Sequence, residues 1–417
     1  MPLISARLHA ARDAHRNGDL GAAWGLLVQL LRYPSGADLN DAQFAQALEL
    51  LHVLGGAHLS SQTVAAASLA AADTHDVQAL FGLGYLLSET GETEMAATIL
   101  ARANVAAPGV VTLVTAFARA LERSGLYDDA YRVVHESYGV RQQDWHARHA
   151  YSFNALMSGR LIEARQNFAL VGPPVDDETE ALYEQMIGFF DRHRRIADVT
   201  PLDDADTRSW HYVITGGVLT HLAPSLDGAA VRGRYCTAID SKELVHEGVI
   251  RALATLQAWD VRPDQLVYAN NHPSETLARV LRQRLGIPIE PFSSQHIKTA
   301  GLFVAYDLGA TSVEFATAMA THRPGQLLFS HAGCWAENAP FTSDITSYHY
   351  ETNVERWSSD TTTSDEQVAE EISASVLADG ALADLEQLVA LAETIGPPPL
   401  DGVRKRFYPG AADPTAE

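Results

Sequence analysis

Residues 83–108 read LGYLLSETGETEMAATILARANVAAP, and this stretch decides the fold of the first half of the chain. A small residue, a large apolar residue, a turn glycine and a second small residue follow one another within it. The same order returns after roughly thirty-four residues, and then once more after the same interval. This period predicts stacked pairs of helices, an α-solenoid. The recurring positions are Gly84, Leu87, Gly91 and Ala96, then Ala118, Leu121, Gly125 and Ala130, then Ser152, Ala155, Gly159 and Ala164.

Weaker copies of this pattern extend toward both ends of the region. Gly18 precedes the small residue Ala23 at the same separation as in the three clear copies, and Pro34 is placed to end a second helix. A degenerate helix pair is predicted over residues 41–74. Residues 178–197 carry apolar side chains at helical spacing, which predicts a terminal capping helix that closes the last apolar face.

The turn and stacking positions over residues 4–196 resemble the tetratricopeptide repeat (TPR) family. The resemblance implies a scaffold that binds a protein or a peptide. The basic side chains that clamp acidic C-terminal tails in chaperone-binding members have no clear counterpart here, because residues 1–197 contain no lysine. In residues 1–200, 15 Arg against 23 Asp and Glu leave a net charge of −8. We therefore expect basic, apolar or intramolecular partners.

Bulk composition excludes several classes of partner. The chain of 417 residues has a formal net charge of −22, so binding to nucleic acid or to an anionic membrane surface is not expected. The first residues do not have the order of a signal peptide, and no apolar run is long enough to span a membrane. With Cys236 and Cys334 as its only cysteines, the chain is predicted to be cytoplasmic and without a disulfide framework. Homo-oligomerisation remains open.

The second half has a different periodicity. A linker is predicted over residues 198–209, followed over residues 210–357 by short apolar strands that alternate with amphipathic helices. This alternation predicts a mostly parallel, Rossmann-like α/β domain. Residues 358–417 are predicted to hold a polar linker, one helix over residues 365–395 and a proline-rich tail. The predicted strands are residues 211–215, 234–239, 265–269, 287–289, 301–306 and 326–329.

Polar residues cluster where the predicted strands end, which is where an open parallel sheet binds its ligands. The same residue types cap helices and form turns, so every position also has a purely structural interpretation. The candidate ligand-binding residues are Thr215, Gly216, Gly217, Asp240, Ser241, Asn270 and Asn271. The candidate catalytic residues are Asp240, Lys242, His272, Asp307 and His331.

No known motif makes the site more specific. Gly216-Gly217 lacks the third glycine of a dinucleotide-binding turn, and no Walker lysine pattern occurs, so the cofactor is left unidentified. Cys334 follows His331 by three residues, but no second pair of ligands accompanies them, which disfavours zinc. A Cys/His nucleophile pair remains an alternative. Aromatic residues that could form a lid, or simply pack in the core, are Trp335, Tyr348 and Tyr350.

Three functions are compatible with these patterns. The first is a TPR-like scaffold that binds a protein or peptide partner and is coupled to an α/β domain that senses a small polar ligand. The second is an enzyme, a transferase or hydrolase, whose α/β domain acts on a nucleotide, sugar or similar metabolite while the repeats recruit a partner or substrate. The third is a purely structural role. The lack of an established catalytic motif favours the first.

Overall fold

A computed structural model describes residues 2–200, 202–203, 206–224, 230–231, 233–335, 341–355, 357, 363–398 and 402–407. The chain divides into two compact units, Met1–Tyr183 and Glu184–Thr415. Within the described ranges, no helix has the length and apolar character needed to cross a membrane.

The first unit is helical, and its helices pack in consecutive pairs. The pairs are α1/α2, α3/α4, α5/α6, α7/α8 and α10/α11, which confirms the predicted array of helix pairs. The short helix α9 interrupts the alternation, and α12 (Asp177–Ile196) begins in this unit and ends in the second. The bounds are α1 Pro2–Arg16, α2 Leu20–Leu31, α3 Asp41–Leu54, α4 Ser61–Ala72, α5 Val77–Glu89, α6 Thr93–Ala106, α7 Val111–Arg123, α8 Tyr127–Glu136, α9 Tyr138–Gln143, α10 Trp145–Met157 and α11 Leu161–Phe168.

The period of roughly thirty-four residues is the spacing between equivalent turns. Gly91, Gly125 and Gly159 have φ of +91°, +76° and +76°, a left-handed conformation that glycine adopts without a Cβ penalty. The residue after each glycine donates its N–H to a carbonyl near the end of the preceding helix, as in a Schellman motif. These bonds are Glu92 N to Leu87 O at 3.0 Å, Leu126 N to Leu121 O at 2.9 Å and Arg160 N to Ala155 O at 2.8 Å.

Close contact between helices explains the small residues of the period. A Cβ added to Gly84 on α5 would lie 2.6 Å from Cγ of Leu100 on α6, well inside van der Waals contact. Leu100 and Ala96 are fully buried in the core of this unit. A larger residue at position 84 would therefore push the two helices apart.

The first helix pair also contacts the third pair. Arg32, directly after α2, places its Nη2 2.8 Å from Oε1 of Glu94 on α6. The 3-10 segment Ser35–Asp38 packs on the same helix, where a Cβ on Gly36 would lie 2.6 Å from Oγ1 of Thr98. The array thus contains a contact that bypasses the second pair.

The described residues of the second unit form one sheet of eight strands in the order β2-β3-β8-β7-β6-β4-β5, with β1 also paired to β8. Every pairing is parallel except that of β2 with β3, which confirms the predicted mostly parallel sheet. The strands are β1 Val218–Leu219, β2 Ala230–Val231, β3 Arg234–Asp240, β4 Leu266–Tyr268, β5 Ile289–Pro291, β6 Gly301–Asp307, β7 Gln326–Cys334 and β8 Ile345–Glu355. The helices are α13 Thr207–Thr215, α14 Lys242–Ala258, α15 His272–Leu285, α16 Val313–Met319, α17 Asp365–Ala374 and α18 Leu385–Ile395.

Helices cover both faces of this sheet. Phe303 of β6 packs in one apolar cluster with Phe315 of α16. Tyr306 of the same strand points the other way, toward His331 of β7, and His331 lies beneath α14. Burial on both faces explains why the central strands read as nearly continuous apolar runs.

Two predicted elements were wrong, and the strand β8 was not predicted. Residues 211–215, predicted as a strand, belong to α13: Asp206 caps that helix by accepting from Ser209 N at 3.1 Å, and Gly216 ends it in a left-handed conformation. β8 was missed because its sequence, ITSYHYETNVE, is rich in polar residues, yet its first five residues are buried. The single helix over residues 365–395 is two helices, α17 and α18.

Candidate functional site

The carboxyl ends of the parallel strands lie along one edge of the sheet. Asp240 ends β3, Asp307 ends β6, and residues 270–272 follow β4 directly. Because parallel strands all point the same way, their carboxyl ends bring together side chains that are far apart in the sequence. The candidate residues at the ends of β3, β4 and β6 therefore share one edge of the sheet, which we call the carboxyl edge.

Asp240 is the centre of a buried hydrogen-bond network. Its Oδ2 accepts from the hydroxyl of Tyr306 at 2.5 Å and from Nε1 of Trp357 at 3.0 Å, while Nε2 of His331 lies 3.4 Å from its Oδ1. Burial raises the pKa of this carboxyl, but His331 and the hydrogen bonds from Tyr306 and Trp357 outweigh it and lower the pKa. The side chain is 1% exposed. Asp240 therefore holds its neighbours in place as a carboxylate and does not meet solvent.

Glu355 ends β8 in register with Asp240. Its Oε1 is buried and has no hydrogen-bond partner among the described atoms. Burial first, and then the charges of Asp240 and Asp307, raise the pKa of Glu355 to about 7. A pKa raised this far lets the carboxyl take up or release a proton near neutral pH, so it can act as either donor or acceptor.

Asp307 and the predicted lid aromatics are engaged in packing and hydrogen bonds. The hydroxyl of Tyr350 on β8 donates to Oδ2 of Asp307, whose Oδ1 accepts from Gly309 N at 2.9 Å. Tyr348 on the same strand is fully buried. Trp335 donates from Nε1 to the carbonyl of Tyr235 at 3.1 Å.

His331 was predicted to lie at a strand end. It lies within β7 instead, because that strand runs on to Cys334. Residues three apart on a strand face opposite sides, so the proposed Cys/His pair of Cys334 with His331 is not formed. The imidazole instead contacts Asp240, and Sγ of Cys334 lies 3.9 Å from the carbonyl of Glu351.

A cavity of about 720 Å³ opens at the ends of β4 and β5. Within it, Nδ1 of His272 lies 2.5 Å from Oδ1 of Asp365, the first residue of α17. A carboxylate on Nδ1 favours the tautomer with the proton there, which makes Nε2 an acceptor. On the other side, Nε2 of His296 lies 3.0 Å from Oε2 of Glu290. The cavity therefore offers two imidazoles, each held by a carboxylate.

The remaining candidates of this edge have structural roles in the described contacts. Ser241 caps α14 by accepting from Leu244 N at 3.2 Å, and Asn271 caps α15 by accepting from Ser274 N at 3.0 Å. Asn270 donates to the carbonyl of Phe292 at 2.8 Å while it lines the cavity. Lys242 forms an ion pair with Glu371 of α17.

Thr215, Gly216 and Gly217 lie at the opposite edge of the sheet. A Cβ on Gly217 would lie 2.5 Å from the carbonyl of Ser343, which precedes the start of β8. The backbone N–H groups of this turn are already donated: Gly216 N to Tyr212 O at 2.8 Å, and Gly217 N to Oγ1 of Thr215 at 3.0 Å. They are therefore not available to bind an anion. These residues do not join Asp240 and His272 in one site.

Neither the described side chains nor the cysteines indicate a metal centre. No group of three or more His, Cys, Asp or Glu residues in the described ranges is arranged to hold a metal ion. Neither Cys236 nor Cys334 forms a disulfide.

Sequence reasoning missed four residues of this edge: Tyr306, Glu355, Trp357 and Asp365. Tyr306 directly precedes the candidate Asp307 and could have been included with it. The other three lie after β7, where no strand was predicted, so no strand end indicated them.

The comparisons with known proteins do not assign a family. No family model matches the chain, and no curated protein matches it significantly. Two of the solved structures similar to it are MamA AMB-1, with 23% identity over 40% of this chain and 95% of that one, and MamA MSR-1, with 17% identity over 42% of this chain and 97% of that one. Their TM-scores are 0.25 and 0.26. Similarity at this level does not establish a common fold.

Proposed function

We propose that the helical unit is a scaffold that binds a segment of a partner protein carrying an apolar side chain next to basic residues. A groove of about 710 Å³ in this unit supports the proposal. Its walls are the C-terminal half of α6, the helices α8 and α9, and the segment that follows α2. A groove of this volume lies within the range of known ligand sites.

Two large side chains of the groove are exposed to solvent. Val105 of α6 is 82% exposed and Tyr138 of α9 is 63% exposed, and both line the groove. Tyr33, in the same lining, packs edge-on against Phe117 with ring centroids 5.9 Å apart. Aromatic and apolar side chains grouped in a depression are typical of the energetically dominant part of a binding surface.

The charge around the groove favours a basic segment. Burial raises the pKa of the Tyr33 hydroxyl, and the charges of Asp129, Asp38 and Glu136 add to this effect against the single opposing Arg132. Arg132 is itself paired with Asp129. The carboxylates therefore outnumber the cations at the groove, which attracts Lys or Arg on a partner.

The proposal is tested by selecting peptides from a displayed random library on the purified full chain. Selected sequences should pair Lys or Arg with a large apolar residue. Val105→Lys should weaken the selected peptides by about tenfold or more, since it places a charge where an apolar anchor binds. Val53→Lys is the matched control, because Val53 is an exposed helical valine of the same unit outside the groove, and it should leave affinity unchanged. Selection without enrichment, or equal effects of the two variants, would contradict the proposal.

A second candidate function is the binding or turnover of a small polar ligand at the carboxyl edge, either for sensing or as a transferase or hydrolase. The cavity with its His272–Asp365 pair favours it, because Nε2 of such a histidine can accept a proton from a ligand hydroxyl or water. The side chain of His272 is 39% exposed and so can be reached.

This second function predicts that some nucleotide or sugar nucleotide raises the melting temperature of the chain. His272→Gln should abolish that rise without lowering the melting temperature of the free protein. His75→Gln is the control, because His75 lies 3.8 Å from Asp41 in a comparable but solvent-exposed pair. If no nucleotide or sugar nucleotide raises the melting temperature, the result contradicts the binding of such a ligand at the carboxyl edge.

A further inference from the structure

At the amino edge of the sheet, a second cavity of about 510 Å³ collects positive charge in an otherwise strongly acidic protein. Its lining includes Arg192 and Arg195 from the last turns of α12, and Lys405 from the segment after α18. We propose that this cavity, which we call the amino-edge pocket, binds a small organic anion through the side chains of these three residues.

The carboxylates of the lining are already matched by other cations. Asp344 accepts hydrogen bonds from Nε of Arg404 at 3.1 Å and from Nη2 of Arg404 at 2.7 Å. This bidentate pair is buried from solvent. Asp191 accepts from Nη2 of Arg194 at 2.9 Å. Arg192, Arg195 and Lys405 therefore provide positive charge in excess of the acids that line the pocket.

Arg192 is held in place by the backbone. Its Nε donates to the carbonyl of Val213 at 2.7 Å and its Nη2 to that of Ile214 at 3.1 Å, which satisfies the C-terminal carbonyls of α13. Burial lowers the pKa of this guanidinium to about 10, and the nearby Arg195 contributes in the same direction. The negative charge of an anion in the pocket would offset the repulsion between Arg192 and Arg195 and would stabilise the charged guanidinium. Capping of α13 explains the position of Arg192 but not the accumulation of Arg195 and Lys405 around it.

The pocket also determines what kind of anion it would accept. Ile395, Pro397 and Pro398 form part of the lining, so an apolar body can pack there while its charged group meets the cations. The turn amides of Gly216 and Gly217 are already donated, as described above, so recognition falls to side chains. A phosphate or a carboxylate satisfies this chemistry equally well.

Pyrophosphate and citrate are the probes that separate these two chemistries. Each is titrated against the full chain and followed by melting temperature, with sodium chloride at equal ionic strength as the reference. We expect saturable stabilisation by at least one of them. Stabilisation by pyrophosphate alone identifies a phosphate ligand, and stabilisation by citrate alone identifies a carboxylate. A melting temperature that follows only ionic strength overturns the proposal.

Arg195 and Arg262 supply a pair of variants that each remove one positive charge. Arg195 lines the pocket, whereas Arg262 does not, and its side chain is 92% exposed. Arg195→Gln should weaken the stabilising anion by about tenfold, the value of one charge-assisted hydrogen bond, while Arg262→Gln should leave it unchanged. If both variants weakened anion binding equally, the effect would be one of general charge screening, and the proposed pocket would be refuted. Lys405→Gln, at an exposed position, gives the same test if Arg195→Gln does not fold. His272→Gln should not alter this response, which separates it from a ligand of the carboxyl edge.

Discussion

Replacing Arg251 by methionine is expected to lower the free energy of unfolding by about 3 kcal/mol, because a buried guanidinium is removed from between two carboxylates. Arg251 of α14 donates from Nε to Oε1 of Glu247 at 2.7 Å, and from Nη2 to Oδ1 of Asp384 at 2.6 Å. Its Nη1 also donates to the carbonyl of Thr220 at 2.9 Å. Asp384 directly precedes α18, so the network fastens this helix to the rest of the second unit.

The loss is limited because each carboxylate keeps another partner. Asp384 still accepts from Arg208 at 2.5 Å, and Glu247 still contacts Nδ1 of His221 at 2.8 Å. Arg262→Met is the matched control, because the side chain of Arg262 is 92% exposed and lies 3.9 Å from Asp260. It should change stability by no more than about 0.5 kcal/mol. Chemical denaturation that gives equal midpoints for the two variants would contradict the assigned role of Arg251.

The network also fixes the direction of a pH effect. Burial raises the pKa of Asp384, but the hydrogen bonds from Arg251 and Arg208 outweigh it and lower the pKa to about 2, below its ordinary 3.8. A carboxyl with a depressed folded pKa stabilises fully above its unfolded pKa and loses that contribution as the pH falls. The stability difference between the parent and Arg251→Met should therefore narrow from pH 4 toward pH 2.

Gly248→Ala is expected to lower the free energy of unfolding by about 1–3 kcal/mol, although alanine favours a helix more than glycine does. Gly248 lies within α14 at its contact with β7 and β8. An added Cβ would lie 2.6 Å from Oγ of Ser347, 2.7 Å from Nδ1 of His331 and 2.9 Å from its Cε1. These side chains are fully buried and have nowhere to move.

The opposite sign is expected for Gly82→Ala. Gly82 lies within α5, and an added Cβ there would meet no atom within 4 Å. Only the helix propensity changes, which should stabilise by about 0.5–1 kcal/mol. Thermal or urea unfolding of the two alanine variants therefore gives a direct comparison. Similar changes in both would mean that α14 does not approach the sheet as closely as described.

The Gly248 contact also affects the carboxyl edge. His331, against which Gly248 packs, contacts Asp240 from the other ring nitrogen. A displaced imidazole would disturb that carboxylate and, through it, Tyr306 and Trp357. If the carboxyl edge binds a ligand, Gly248→Ala should weaken it more than Gly82→Ala does.

The helix pairs were predictable from the sequence because the information is local. Gly91 and its equivalents each end a helix by hydrogen bonds within a few residues, so the period appears directly in the order of residues. β8 was not predictable in this way. Among its buried polar residues, Thr346 places its Oγ1 2.7 Å from Oγ of Ser343, and Ser347 lies against Gly248 of α14, so polar side chains occupy positions that strand propensity would assign to apolar ones.

In the candidate site, the residues that follow the strands were predictable from the sequence, but the side chains that contact them were not. Asp240 and His272 follow apolar strands, a position with a recognisable pattern. Tyr306 and Trp357 reach Asp240 from 66 and 117 residues further along the chain. Such separations are set by strand order, which depends on how the whole sheet assembles. The placement of Gly216-Gly217 failed for a different, local reason, because the strand assigned to residues 211–215 is a helix.

The contact between the first and third helix pairs determines how the array should come apart under force. A linear repeat array, in which each pair contacts only its neighbours, unzips pair by pair from a free end. Here the ion pair of Arg32 with Glu94 and the packing of Gly36 on Thr98 tie the start of the array to α6. Pulling on the N-terminus should therefore release residues 2–106 in one event, with a single long extension in place of three short ones.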